Sequence, residues 1–175
     1  MAKLRKMLGS VDSPQTAALM RMIETQSKTT LAGWAADYAE EHYLAIYEKA
    51  YPDDGRLRTL LASVKAYLSG DIKQSEWTAL LREARQVAQE AAENPAAQAA
   101  ARAVTTACGT VQTPTNALGF TFYGAAATAY DQAGLAAPPE QYDRLAYAEF
   151  DKIVESLQNA LVPDEPNPVK INWNC

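Results

Sequence analysis

Apolar side chains recur along this chain at the three- and four-residue spacing of amphipathic helices, and the two-residue period of a strand appears only near the end. Ser13-Pro14, Asn94-Pro95 and Thr113-Pro114 each place a capping residue before a proline, which is typical of a helix start. The pattern predicts an all-α, single-domain bundle of about six to seven helices. These helices begin near residues 14, 30, 56, 75, 95, 114 and 138, and the first two end near residues 28 and 51.

The second predicted helix has apolar or aromatic residues on most of its sides. A helix of this kind is usually surrounded by other helices, so we expect it to lie inside the bundle. One stripe is formed by Leu31, Ala35, Tyr38, His42, Ala45 and Ile46, and another by Tyr43, Tyr47 and Tyr51.

The last residues differ from the rest of the chain. Pro163, Pro166 and Pro168 exclude a helix, and Val169, Ile171 and Trp173 then alternate with polar residues at the period of an extended chain. We therefore predict a helical bundle domain over 1–162 and an extended, proline-containing tail over 163–175. We expect the tail to dock on its own bundle; the alternative is a homo-oligomer or partner contact made through the tail.

Alanine supplies 34 of the 175 residues and is concentrated between Ala91 and Ala137. Small side chains allow close approach of helix axes, so we expect close packing in this half. The aromatic residues lie mostly in the second to fourth predicted helices. A polar pocket, where one exists, is expected beside this aromatic half.

The net charge of −5 and the sequence pI of about 4.9 argue against nucleic acid as a partner. No window has the apolar length of a membrane span, and charges interrupt the first eight residues where a signal peptide needs an apolar core, so we expect a cytoplasmic protein.

The segment 131–165 has a net charge of −6, which would steer a basic partner, although charges of this kind more often form a solvated helix face. Its acids are Asp131, Glu140, Asp143, Glu149, Asp151, Glu155, Asp164 and Glu165, against Arg144 and Lys152.

Most catalytic and metal sites are excluded by composition. One histidine does not supply a di-iron site or a two-histidine zinc site, and with two cysteines it makes a structural zinc site only if carboxylates complete the ligands. The glycines match no phosphate loop, dinucleotide fingerprint or nucleophile elbow. A Cys108–His42 pair remains as a nucleophile and base, but a free cysteine in an apolar helix is usually inert. We therefore predict no catalytic residues, no metal and no cofactor.

Three positions invite a closer reading. We expect His42 to be a hydrogen-bonded core histidine, with a polar anchor in a pocket between helices as the alternative. Arg56 and Arg58 lie in the first turn of a helix, where the macrodipole disfavours cations, so nearby carboxylates are expected to offset this. An ion pair between helices is favoured over an external anion. The candidate partners are Asp53, Asp54, Asp37 and Glu41, and Trp34 and Trp77 are expected in the core.

Two segments carry a resemblance to a known family: Trp-Ala-Ala-Asp-Tyr-Ala-Glu-Glu-His at 34–42 and Tyr-Pro-Asp-Asp-Gly-Arg-Leu-Arg at 51–58. Followed by an alanine-rich helix pair, they resemble a family of bacterial putative immunity proteins, which are small helical domains thought to neutralise the toxins of polymorphic toxin systems. The likeness covers about 31–133. Relatives often carry histidines where this chain has 110–116 without one, and this departure from the family pattern argues against a shared metal or acid–base role. The matching positions are Glu40, His42, Pro52, Asp54, Arg56, Arg58, Ala117, Gly119 and Tyr123.

The resemblance implies a non-enzymatic protein that binds a toxin directly, through the acidic 131–165 segment or the tail when the toxin is a basic nuclease. The alternative is a small-molecule-binding module or enzyme with a pocket near His42, Arg56 and Arg58. The candidate binding residues are Trp34, Asp37, Tyr38, Glu41, His42, Asp54, Arg56, Arg58 and Tyr123.

Overall fold

A computed structural model describes residues 3–174. Within them the chain forms eight α-helices and no strand, which confirms the all-α prediction, although the number of helices is larger than predicted. The helices are α1 Pro14–Ile23, α2 Lys28–His42, α3 Leu44–Ala50, α4 Arg56–Leu68, α5 Gln74–Glu90, α6 Pro95–Cys108, α7 Asn116–Ala133 and α8 Pro139–Ala160, with a 3₁₀ turn at Gly109–Val111.

The additional helix arises because the second predicted helix breaks at Tyr43. Tyr43 keeps αR geometry, although with an unusual φ (φ −113°, ψ −31°), and is both the C-cap of α2 and the N-cap of α3. The break lets Tyr43 and Tyr47 enter the core while His42 and Ala45 remain exposed. A straight helix with both predicted stripes buried would need other helices on most of its sides. Because the helix breaks at Tyr43, α2 and α3 do not need to be surrounded in this way.

Two further boundaries differ from the prediction. The first helix ends at Ile23, about five residues early, because Ser27 accepts a hydrogen bond from the Thr30 amide and starts α2 instead. The seventh helix, α7, begins at Asn116, two residues after Pro114. Both differences lie at helix ends, where local capping alternatives compete.

The centre of the bundle is α6, and not the second predicted helix. It contacts α2, α3, α4, α5 and α7, and its own residues are buried on nearly all sides of the helix. Alanine at most of these positions lets several helices approach one axis, which agrees with the expected close packing. The buried residues of α6 are Ala97, Ala99, Ala100, Ala101, Ala103, Val104, Thr105, Ala107 and Cys108.

The segment that follows α8 lies against the start of α2. The Val169 amide donates to the Gln26 carbonyl oxygen at 2.9 Å, and the Glu165 carboxylate accepts the Ser27 amide and the Thr30 hydroxyl. Val169, Ile171 and Trp173 are partly buried against the core. Residues 163–174 therefore dock on their own bundle, as expected, while Cys175 lies outside the described residues. None of the helices in 3–174 combines the length and apolar character that a membrane span requires.

Candidate binding site

The carboxylate of Asp54, in the segment 51–58, lies at the centre of a hydrogen-bonded cluster that joins α3, α4 and α5. Asp54 lies at the N-terminus of α4, where its Oδ1 accepts the Arg56 amide at 3.1 Å. The Arg56 guanidinium donates to both carboxylate oxygens of Asp54, at 3.0 and 2.7 Å, and also to Glu90 on α5. The Tyr47 hydroxyl of α3 donates to the same carboxylate at 2.6 Å. The Arg56 guanidinium thus holds the pKa of Asp54 well below its usual range.

Arg58 makes a second link between the same elements. Its Nη2 and Nε donate to the two carboxylate oxygens of Glu48 on α3, at 2.6 and 3.2 Å. Both arginines therefore form ion pairs within the fold, which confirms the favoured prediction. Of the predicted partners, Asp54 pairs with Arg56; the other observed partners are Glu90 and Glu48, in place of Asp53, Asp37 and Glu41. The carboxylates offset the unfavourable position of the two cations at a helix N-terminus.

A buried carboxylate lies on the other side of α2. Glu149 of α8 is only 4% exposed and accepts hydrogen bonds from the Tyr38 hydroxyl, at 3.0 Å, and from the Tyr43 hydroxyl. Burial raises the pKa of Glu149, while hydrogen bonds from Tyr43 and Tyr38 and the nearby His42 and Lys152 oppose that shift. The expectation of a solvated helix face is therefore wrong for Glu149.

His42 is at the surface, so the expected core histidine is a further correction. Its ring lies against that of Tyr38 with the centroids 4.2 Å apart, and its side chain is 39% exposed. The Glu41 Oε2 atom lies 3.9 Å from the His42 Nε2 atom, and the Glu41 side chain is largely exposed. His42 is the last residue of α2.

The remaining predicted residues of α2 have different surroundings. Trp34 is buried, packs edge-on against Phe120 and donates from Nε1 to the Ser156 hydroxyl at 3.0 Å. Trp77 is also buried, so both tryptophans are core residues as expected. Asp37 is exposed. Trp34, Tyr38 and His42 follow one another along α2, but Arg56 and Arg58 belong to the separate ion-pair cluster between α3, α4 and α5.

Cys108 does not meet the requirements of a nucleophile. It is 1% exposed at the end of α6, and burial raises the pKa of its thiol. A buried, protonated thiol cannot pair usefully with an exposed His42. Among residues 3–174, no group of three or more His, Cys, Asp and Glu side chains is placed to hold a metal ion.

Tyr123 lies apart from the other candidates, at a polar cavity of about 360 Å³ along α6. Arg85 and Gln89 of α5 line one side, Arg102 and Thr105 of α6 line the floor, and Asn116 and Tyr123 of α7 line the other side. This cavity adjoins the alanine-rich α6 and α7, whereas the expected position of a polar pocket is beside the aromatic half. Arg56 borders a different cavity of about 260 Å³, together with Gly55, Thr59, Leu80 and Glu83.

Sequence reasoning missed Glu149, Glu90, Arg85 and Arg102. The partners of the first two are far away in the chain, so no local pattern reveals them. Arg102 had a visible signal, because it is the sole charged residue between Glu93 and Asp131.

The Glu149 cluster predicts a distinct pH dependence of stability. A raised folded-state pKa means that the folded protein binds more protons than the unfolded chain above about pH 4.5, so stability falls as pH rises through that window. In Glu149→Gln this contribution is absent, and urea unfolding between pH 5 and 8 should show a flatter curve than in the wild type. Glu155→Gln, an exposed change on the same helix, should keep the wild-type slope. Parallel curves for wild type and Glu149→Gln would contradict the prediction.

Comparison with known proteins gives one family. No curated protein and no solved structure matches the chain significantly. The model of the Imm-5 like putative immunity protein family matches residues 21–154, which extends the expected span of 31–133 into α1 and through most of α8. The match includes the ion-pair cluster, the Glu149 cluster and the cavity beside Tyr123. Because it covers well over half of the chain, the protein belongs to the Imm-5 like putative immunity protein family.

Proposed function

We propose that this protein neutralises a bacterial toxin by direct binding and without catalysis. The family match over 21–154 is the observation that supports this proposal. Asp54, Arg56 and Arg58 are paired within the fold, and burial raises the pKa of the Cys108 thiol, so these residues are better suited to a structural role than to catalysis. We expect the protein to act in the cytoplasm.

The outer face of α8 is the proposed contact surface. Five residues fall on one stripe of this helix at spacings of three and four, and Tyr147 at its centre is 43% exposed. Exposed tyrosine is enriched at protein interfaces, and acidic neighbours favour a basic partner. The stripe consists of Glu140, Asp143, Tyr147, Asp151 and Glu155.

Several acidic residues of the segment 131–165 already have partners within the fold. Asp131 pairs with Lys49, Asp143 with Arg5 at 2.7 Å, and Asp151 accepts from Gln15. Glu149 is buried and Glu165 binds the start of α2. Within the described residues, Glu140, Glu155 and Asp164 have no side-chain partner, and two of these belong to the α8 stripe. The docked tail is accordingly the weaker of the two expected contact surfaces.

The test begins with a toxin domain encoded beside this protein in its native genome. Co-expression should restore growth, and the purified pair should form a complex of fixed stoichiometry whose association slows as salt rises. The toxin recovered from the complex should be active and unchanged in mass. A substoichiometric amount that inactivates the toxin would indicate catalysis and overturn the binding proposal, as would failure to protect against every neighbouring toxin.

Variants locate the contact surface. Tyr147→Ala should weaken binding by about 10-fold or more, and Glu155→Lys should mainly slow association. Glu83→Lys is the matched control, because Glu83 is exposed on α5, which packs against α4 and α6. Equal binding by Tyr147→Ala, Glu155→Lys and Glu83→Lys would remove α8 as the contact surface.

A further inference from the structure

Arg102 is a cation in an otherwise uncharged part of the fold. Between Glu93 and Asp131 no other residue carries a formal charge, and Arg102 lies half-buried on α6, the most enclosed helix. Among residues 3–174 no carboxylate approaches its guanidinium within ion-pair distance. Arg56 and Arg58 both have carboxylate partners, so Arg102 differs from the arginines that the fold uses for its own stability. A partly desolvated cation without a counter-charge favours an anion from outside.

The cavity beside Arg102 supplies further donors. Arg85, also without an ion pair in the described chain, faces the same space from α5, and Asn116 and Tyr123 contribute an amide and a hydroxyl from α7. No aspartate or glutamate lines the cavity. On another side, Arg102 borders a cavity that Lys3, Lys6 and the ion-paired Arg5 also line, and no aspartate or glutamate lines that cavity either.

Thr105 is a second and independent observation. It lines the same cavity and is 6% exposed, and its buried hydroxyl has no hydrogen-bond partner in residues 3–174. Burial of a hydroxyl without a partner is unfavourable, so such groups usually bind a ligand or water. The Tyr123 hydroxyl likewise makes no hydrogen bond within the described residues.

We propose that the cavity between Arg85, Arg102, Thr105 and Tyr123 binds the oxyanion group, phosphate or carboxylate, of a small molecule. Planar guanidinium groups donate pairs of hydrogen bonds that match the oxygens of both anions. The cavity of about 360 Å³ lies at the lower end of the range for small-molecule sites. The site is separate from the acidic α8 stripe and goes beyond the proposed neutralisation of a toxin.

The experiment uses the purified full-length protein without any toxin, so its outcome is independent of the proposed function. Isothermal titration calorimetry with inorganic phosphate and with citrate, each at constant ionic strength set with chloride, measures binding by the two classes of anion. We expect saturable binding of at least one, with a Kd in the millimolar range or lower. Phosphate alone would assign a phosphate-bearing ligand, citrate alone a carboxylate-bearing ligand, and both the shared oxyanion chemistry. Absence of saturable binding by either anion would overturn the proposal.

Three matched arginine variants locate the site. Arg102→Gln and Arg85→Gln should each weaken the binding by about 10-fold or more, whereas Arg82→Gln, on an exposed arginine of α5 that does not line the cavity, should stay within 2-fold of wild type. The Arg102 Nε–H resonance should shift on titration with the anion in the wild-type protein. Binding that all three variants weaken equally would indicate nonspecific charge attraction and would contradict a built site.

Discussion

Replacing Gly124 by alanine is expected to lower the free energy of unfolding by about 3 kcal/mol and the Tm by about 6–12 °C. A Cβ at this position of α7 would overlap the ring and hydroxyl of Tyr43, which is completely buried. Tyr43 cannot move without leaving Glu149, so the substitution costs both packing and a hydrogen bond to the buried carboxyl group. Thermal and urea unfolding of Gly124→Ala measure the effect.

The matched control is the same substitution at Gly119, five residues earlier in α7. A Cβ at Gly119 meets its nearest neighbour, the Thr106 Cγ2 atom, at 3.7 Å, which is an ordinary contact. Alanine favours a helix over glycine by about 0.5–1 kcal/mol, so Gly119→Ala should stabilise the protein. Opposite signs for the two variants are the expected result. Stabilisation by Gly124→Ala would contradict the close packing of α7 against Tyr43.

The second large effect is expected from Asp54→Asn. The substitution removes the charge that binds Arg56 through two hydrogen bonds, while the asparagine oxygen still accepts from the Arg56 amide. Hydrogen bonds to charged groups contribute about 1.5–3 kcal/mol, and this pair is only partly buried, so we expect a loss of about 2 kcal/mol. Chemical denaturation at pH 7 measures it.

Asp53→Asn is the control for this change, since Asp53 is the exposed neighbour of Asp54 and should alter stability by less than about 0.5 kcal/mol. The pH dependence gives a second check. Because Arg56 lowers the folded-state pKa of Asp54, the ionised carboxylate contributes its stability above about pH 4 and loses it as pH falls further. The difference between wild type and Asp54→Asn should therefore shrink in acid. A constant difference from pH 7 to pH 3 would contradict the ion-pair account.

The segments at 34–42 and 51–58, which resemble the family, show which features a short motif can predict and which it cannot. They predicted the family correctly, and Arg56 and Arg58 were correctly interpreted as ion-paired. Their partners Glu48 and Glu90 could not be assigned, because each pair joins different helices whose relative placement depends on packing. The pocket expected near His42 and the two arginines remains a prediction, while the cavity that includes Tyr123 lies elsewhere.

The amino-acid sequence by itself determined the helical class, most helix starts and the extended tail, because these depend on local capping, proline geometry and the period of apolar residues. Tertiary structure alone decided the break at Tyr43, the burial of Glu149, the exposure of His42 and the cavity around Arg102. Each of these depends on which helices pack against one another, α2 with α8 for Glu149 and α5 with α6 and α7 for the cavity, and the period of apolar residues along a chain does not specify that packing. A charged residue such as Glu149 has the same local pattern on a solvated face as in a core, and only its long-range partners distinguish the two.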